Sequence, residues 1–95
     1  MRISELKKDE EFEEIKVKII WDKSEVNKWG IKSVLVCDFD EDPADKRERA
    51  YLDLKGDYIN KFNHLDVIIV KKGKCRQLDN GQKYVGFAKE IVKVE

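Results

Sequence analysis

Three short stretches of the chain bring cations and flat aromatic faces together. Lys28, Trp29 and Lys32 surround Gly30 in "NKWGIK". Arg47, Arg49 and Tyr51 recur at every second position of "RERAY", and Lys74, Arg76, Lys83 and Tyr84 straddle the turn in "GKCRQLDNGQKYVGF". Such a mixture suits one chemistry in particular. Cations track a phosphate chain, while aromatic rings stack on unpaired bases at about 1–3 kcal/mol per base. Arginine serves both purposes, because its planar guanidinium pairs with phosphate or lies on a base. Each stretch also has a plainer reading: Trp29 folded back onto the core, Arg47 and Arg49 offsetting nearby acids, and the remaining cations solvated on a hairpin.

Other chemistries find little footing. The chain has no Ser/His/Asp order, no His-Glu-x-x-His motif and no glycine-rich phosphate loop. It is therefore not expected to be an enzyme, and neither a cofactor nor a small-molecule substrate is expected. Asp38, Asp40, Glu41 and Asp42 cluster, yet "DFDEDPAD" lacks the glycine and closing glutamate of a calcium loop and reads as a solvated acidic turn. Cys37 and Cys75 are far apart, and with His64 as the single histidine a zinc site would need carboxylates to complete it. The expectation is two buried or half-buried reduced thiols and no metal.

The sequence of 95 residues has room for one domain, 1–95, around one core. It is 41% hydrophobic and 42% charged, which implies a small core under a heavily charged surface, a bias also found in heat-stable proteins. Its formal net charge of zero argues against binding DNA through bulk positive potential. The charges are nevertheless segregated. Residues 38–53 carry seven acidic side chains against three basic ones, and residues 61–83 carry six basic against two acidic. No apolar run reaches about 18 residues, and "MRISELKKDEEFEE" lacks the apolar core of a signal peptide, so a soluble, cytoplasmic setting without membrane contact is expected.

The elements that must position these residues are mostly strands. In "EEIKVKIIWD" (13–22), Ile15, Val17, Ile19 and Trp21 alternate with Lys16, Lys18 and Ile20, which predicts a half-buried strand with Trp21 in the core register. "IKSVLVCDF" (31–39) is apolar on both faces at its centre, as in a strand that is covered twice or strongly bent. The proline-containing acidic run that follows is a turn. "RERAYLDLK" (47–55) resumes alternation, with Ala50, Leu52 and Leu54 inward and Arg49, Tyr51 and Asp53 outward. After Gly56, the spacing of Tyr58, Ile59, Phe62 and Leu65 predicts a short amphipathic helix with Asp57 as its N-cap. "DVIIVKKGKCRQ" and "KYVGFAKEIVKV" complete the set as two strands joined at Asn80-Gly81, a pair that tolerates positive φ. Five strands with one short helix between the third and fourth describe an all-β, five-stranded OB-fold Greek-key barrel; an SH3-like barrel is the main competitor, but it does not usually carry a helix at that place.

In order along the chain, "RISELKKDEEFEEIKVKII", "SVLVCDF" and "KFNHLDVIIVKKGKCRQLDNGQKYVGF" resemble the OB-fold domains of archaeal single-stranded DNA-binding proteins and replication protein A. The resemblance spans nearly the whole chain. It implies binding of single-stranded DNA with little sequence preference, in replication or repair, with other OB-fold subunits as further partners. Two departures stand out. The acidic "DFDEDPADKRER" is longer than the family's Asp-x-x-Gly turn, and Asp53 follows Leu52 where the family often has a stacking aromatic. These favour an alternative in which the barrel docks a protein, as a small subunit of a replication protein A-like complex. An RNA-binding OB domain is a further alternative, since the same platform reads either sugar.

Overall fold

The computed structural model describes residues 1–42, 48–86 and 88–94. Strand β1 (Glu11–Trp21) is long enough to serve two neighbours. One stretch pairs antiparallel with β4 (Val67–Gln77), from Glu11 opposite Lys74 to Lys18 opposite Val67. The other pairs antiparallel with β2 (Ile31–Asp38), beginning at Val17 opposite Asp38. β2 continues antiparallel to β3 (Arg49–Lys55), β3 runs parallel to β5 (Lys83–Gly86), and β5 returns antiparallel to β4. The order β1-β2-β3-β5-β4 thus closes back on β1 and removes the sheet edges of these strands. This is the five-stranded OB-fold barrel.

Alternation fills the interior as the sequence implied. Ile15, Val17 and Ile19 of β1, Val34 and Val36 of β2, and Ala50, Leu52 and Leu54 of β3 are all buried. β1 and β4 change face together, with Glu13 and Glu14 both exposed, so that Phe12 and Gly73 rejoin the inside as a facing pair. The 3-10 turn Ile3–Glu5 lowers Ile3 into the core, and Leu6 follows it there. Asp38, at the end of β2, is buried with them and accepts the Ile3 N–H at 2.8 Å. At the opposite end of β3, Tyr58, Ile59 and Phe62 pack against the same core.

That second end differs from the helix predicted for it. Residues Gly56–Asn60 form only a 3-10 turn, and no side-chain hydrogen bond caps its start, so Asp57 is not an N-cap. The segment runs between Gly56 at φ 60° and Leu65 at φ 70°, too short to repay the nucleation cost of an α-helix. Leu65 is exposed, while its N–H donates to the Ile19 carbonyl at 2.7 Å and extends the β1–β4 seam. The last predicted strand is also divided: β5 stops at Gly86, and a short β6 (Glu90–Lys93) pairs separately with β4, Val70 opposite Ile91. Finally, the 78–82 turn is not a two-residue hairpin with both central φ values positive. The Gly81 N–H donates to Leu78 O and the Leu78 N–H to Gln82 O; Gly81 alone takes a positive φ there. This is a three-residue loop with glycine at the left-handed position. Among the described residues no helix is long and apolar enough to cross a membrane.

Candidate nucleic-acid interface

The outer face of β2 and β3 is laid out in ranks by the antiparallel register. Ile31 stands opposite Lys55, Ser33 opposite Asp53, Leu35 opposite Tyr51, and Cys37 opposite Arg49. The middle rank extends furthest. Tyr84 of β5 is the register partner of Tyr51, and Arg76 of β4 is the partner of Tyr84. On the other side Trp21 of β1 is opposite Leu35. A single row, Trp21–Leu35–Tyr51–Tyr84–Arg76, therefore crosses all five barrel strands on the outside.

Trp21 reaches this row through a β-bulge. Ile19 faces Val36 and Trp21 faces Leu35, so two residues of β1 span one step of β2, and the intervening Ile20 is the extra residue. The predicted core position of Trp21 is corrected accordingly: 41% of its surface is exposed. Strict alternation assumes an unbroken ladder, and one inserted residue moves everything beyond it to the other face.

The structure brings some of the sequence candidates to this face and places others elsewhere. Arg49, Tyr51, Arg76 and Tyr84 stand on it, and Lys74 stands beside the row as the partner of Gly86. Trp29 is 72% exposed at the tip of the β1–β2 loop, just beyond Ile31. The Lys28 ammonium lies 4.5 Å from its ring centroid. Asn27 braces this tip, its Oδ1 accepting the N–H groups of Trp29 and Ile31 at 2.9 and 3.0 Å. Lys32 is in register with the buried Leu54, on the inward side at the end of β2. Lys83 is opposite the buried Ala50, and its ammonium donates to Ile3 O at 3.4 Å. Arg47 lies outside the described residues.

Asp53 does face outward, two residues from Tyr51. It is not bare: the Ser33 hydroxyl donates to Asp53 Oδ1 at 2.8 Å. Gly86 lies at its other flank, where even a Cβ would come within 3.8 Å of Asp53 Oδ2. Asp53 also borders a hollow of about 500 Å³ whose walls include Tyr58, Lys61, Lys89 and Ile91. Tyr58 is held in place there, its hydroxyl accepting the Ile91 N–H at 3.3 Å and its ring stacked 6.0 Å from Phe62.

A larger and more polar hollow, about 840 Å³, opens at the barrel end between the N-terminal turn and the β4–β5 loop, with Arg2, Glu48, Arg49 and Gln82 among its walls. Arg2 forks onto Asp40 at 3.0 to 3.3 Å, and its guanidinium holds that carboxyl below the usual carboxylate range. Cys37 and Cys75 are buried free thiols, and burial pushes both upward in pKa, away from thiolate chemistry.

Sequence reasoning missed Trp21 and Leu35 as members of the outer face. Leu35 was legible as outward by parity within its strand, whereas no signal in the sequence marked the bulge that turns Trp21. Fold and face together define the class: an OB-fold barrel with an aromatic row across its outer surface. No protein-family model matches the chain, and no curated protein matches it in sequence.

Proposed function

We propose that this protein binds single-stranded nucleic acid, with DNA favoured over RNA, across the outer face of β2, β3 and β5. The observation that carries the reading is the Trp21–Leu35–Tyr51–Tyr84–Arg76 row. Three aromatic rings and a guanidinium in one line offer successive stacking surfaces. Arg49 and Lys74 flank the row, and Lys28 stands beyond it beside Trp29 on the β1–β2 loop; these cations supply phosphate contacts. The proposed setting is replication or repair, as for the archaeal single-stranded DNA-binding and replication protein A domains that the sequence resembles.

The test is a fluorescence-anisotropy titration of a labelled thymidine oligonucleotide of about 15 nucleotides. Binding at low salt whose log K falls linearly with log salt supports the reading. Absence of binding to this and to a mixed-base oligonucleotide of the same length, at low salt and high micromolar protein, overturns it. A second reading, favoured by zero net charge and by the Asp53 carboxylate on the face, is a protein-docking barrel that serves as a small subunit of a larger OB-fold assembly. It predicts a stable complex with a protein partner and no salt-dependent oligonucleotide binding.

A further inference from the structure

We infer that Asp53, fixed by Ser33, makes this face select guanine among the bases of a bound single strand; the inference rests on the single-strand reading above. Tyr51 and Asp53 lie on one face of β3, two residues and hence about 7 Å apart. A purine stacked on Tyr51 spans that interval and presents its Watson–Crick edge to the carboxylate. Unstacked bases are read along this edge. Guanine alone carries two adjacent donors there, N1–H and the N2 amino group, which match the two oxygens of a carboxylate. Thymine and uracil present N3–H between two carbonyl oxygens, which the carboxylate repels. Cytosine and adenine each pair one amino donor with a ring-nitrogen acceptor.

The surroundings suit Asp53 to this task. The Ser33 hydroxyl occupies one acceptor position on Oδ1 and orients the group, leaving acceptor capacity on both oxygens. Gly86, with no side chain, leaves the Oδ2 flank open. The hollow on the far side of Asp53 from Tyr51 gives the next nucleotide room, with the Tyr58 ring and Ile91 as apolar walls and Lys61 and Lys89 as cations for its phosphate. A carboxylate that weakens the binding of a bare phosphate chain thereby becomes the source of base preference.

The experiment compares three labelled oligonucleotides of equal length by anisotropy at low salt: all thymidine, thymidine with isolated central guanines, and the same with inosine in place of guanine. Inosine keeps N1–H and lacks the N2 amino group. The native protein is expected to bind the guanine oligonucleotide roughly ten-fold more tightly than the all-thymidine one, and inosine is expected to lose most of that gain. D53N, a near-isosteric change checked by its melting curve, is expected to bring the guanine and thymidine affinities to within about two-fold, partly by tightening thymidine binding as the negative charge goes. S33A is expected to reduce the preference without abolishing it. A native preference below about two-fold, full retention by inosine, or full retention by D53N overturns the inference while thymidine binding upholds the single-strand reading. Failure of the native protein to bind any of the three overturns both.

Discussion

Tyr51 and Tyr84 are direct partners on the parallel β3–β5 ladder, and both face away from the core that Leu52 and Val85, the next pair, fill. The parallel pairing that closes an OB barrel is thus also what sets two aromatic rings side by side on its surface. A parallel contact brings residues from distant parts of the chain into one rank. Neither tyrosine is part of the buried core, so each can be removed without dismantling it.

Replacing either tyrosine by alanine is expected to weaken single-strand binding by about 1–3 kcal/mol, or roughly 5- to 150-fold, while phenylalanine preserves most of the affinity. Anisotropy titrations of Y51A, Y84A and the two phenylalanine variants measure this. Unchanged melting temperatures would establish that the loss belongs to the face. Affinities within two-fold of native for both alanine variants would place the binding surface elsewhere.

The inside of the barrel has little slack where β1 and β4 change face. A Cβ at Gly73 would stand 2.7 Å from Phe12 Cζ and 3.0 Å from Val85 Cγ1. G73A is therefore expected to cost about 1–3 kcal/mol through overpacking, lowering Tm by about 4–8 °C for each kcal/mol. Thermal unfolding followed by circular dichroism reads the effect, and an unchanged Tm would mean that Phe12 moves aside freely.

Asp38 and Ile3 offer a sharper contrast between two variants. D38A leaves the buried Ile3 N–H without its acceptor and is expected to cost about 1–3 kcal/mol. D38N keeps a carbonyl oxygen for the same N–H and is expected to cost distinctly less. Chemical denaturation of the two proteins separates the hydrogen bond from the charge.

Burial raises the pKa of Cys37 and Cys75, which gives stability a defined slope at alkaline pH. The folded chain holds both thiol protons more tightly than the unfolded chain does. Their contribution is complete below the unfolded thiol pKa, about 8.5, and is lost as pH rises from there through the higher folded values. Denaturation midpoints should fall as pH rises above about 8.5, and the slope should shrink in C37A and C75A relative to native. A slope unaffected by both substitutions would assign the alkaline loss to other groups.

Much of this architecture was legible in the residues themselves. The inward set Ile15, Val17 and Ile19 and the outward set Arg49, Tyr51 and Asp53 follow from period-two alternation, which a strand imposes on any chain it contains. What escaped was whatever depends on a single inserted or displaced residue. Ile20 turns Trp21 outward through a bulge that alternation cannot register. Lys32 and Lys83 looked like neighbours of the aromatic residues, yet each shares the register of a buried partner, Leu54 and Ala50. The spacing of Tyr58, Ile59 and Phe62 imitates a helix because a 3-10 turn followed by a bend brings the same side chains toward a barrel end, while Leu65, which completes the helical pattern, is left exposed.

Trp21 is the sharpest probe of single-strand binding on this face, because only the bulge puts it there. The chain contains two tryptophans, so W29F leaves Trp21 as the sole indole. Titration of W29F with a thymidine oligonucleotide of about 15 nucleotides should quench its fluorescence at low salt, and added salt should restore it. An indole signal that stays flat while anisotropy reports binding would contradict the account, because the strand would then be held away from the row that Trp21 begins.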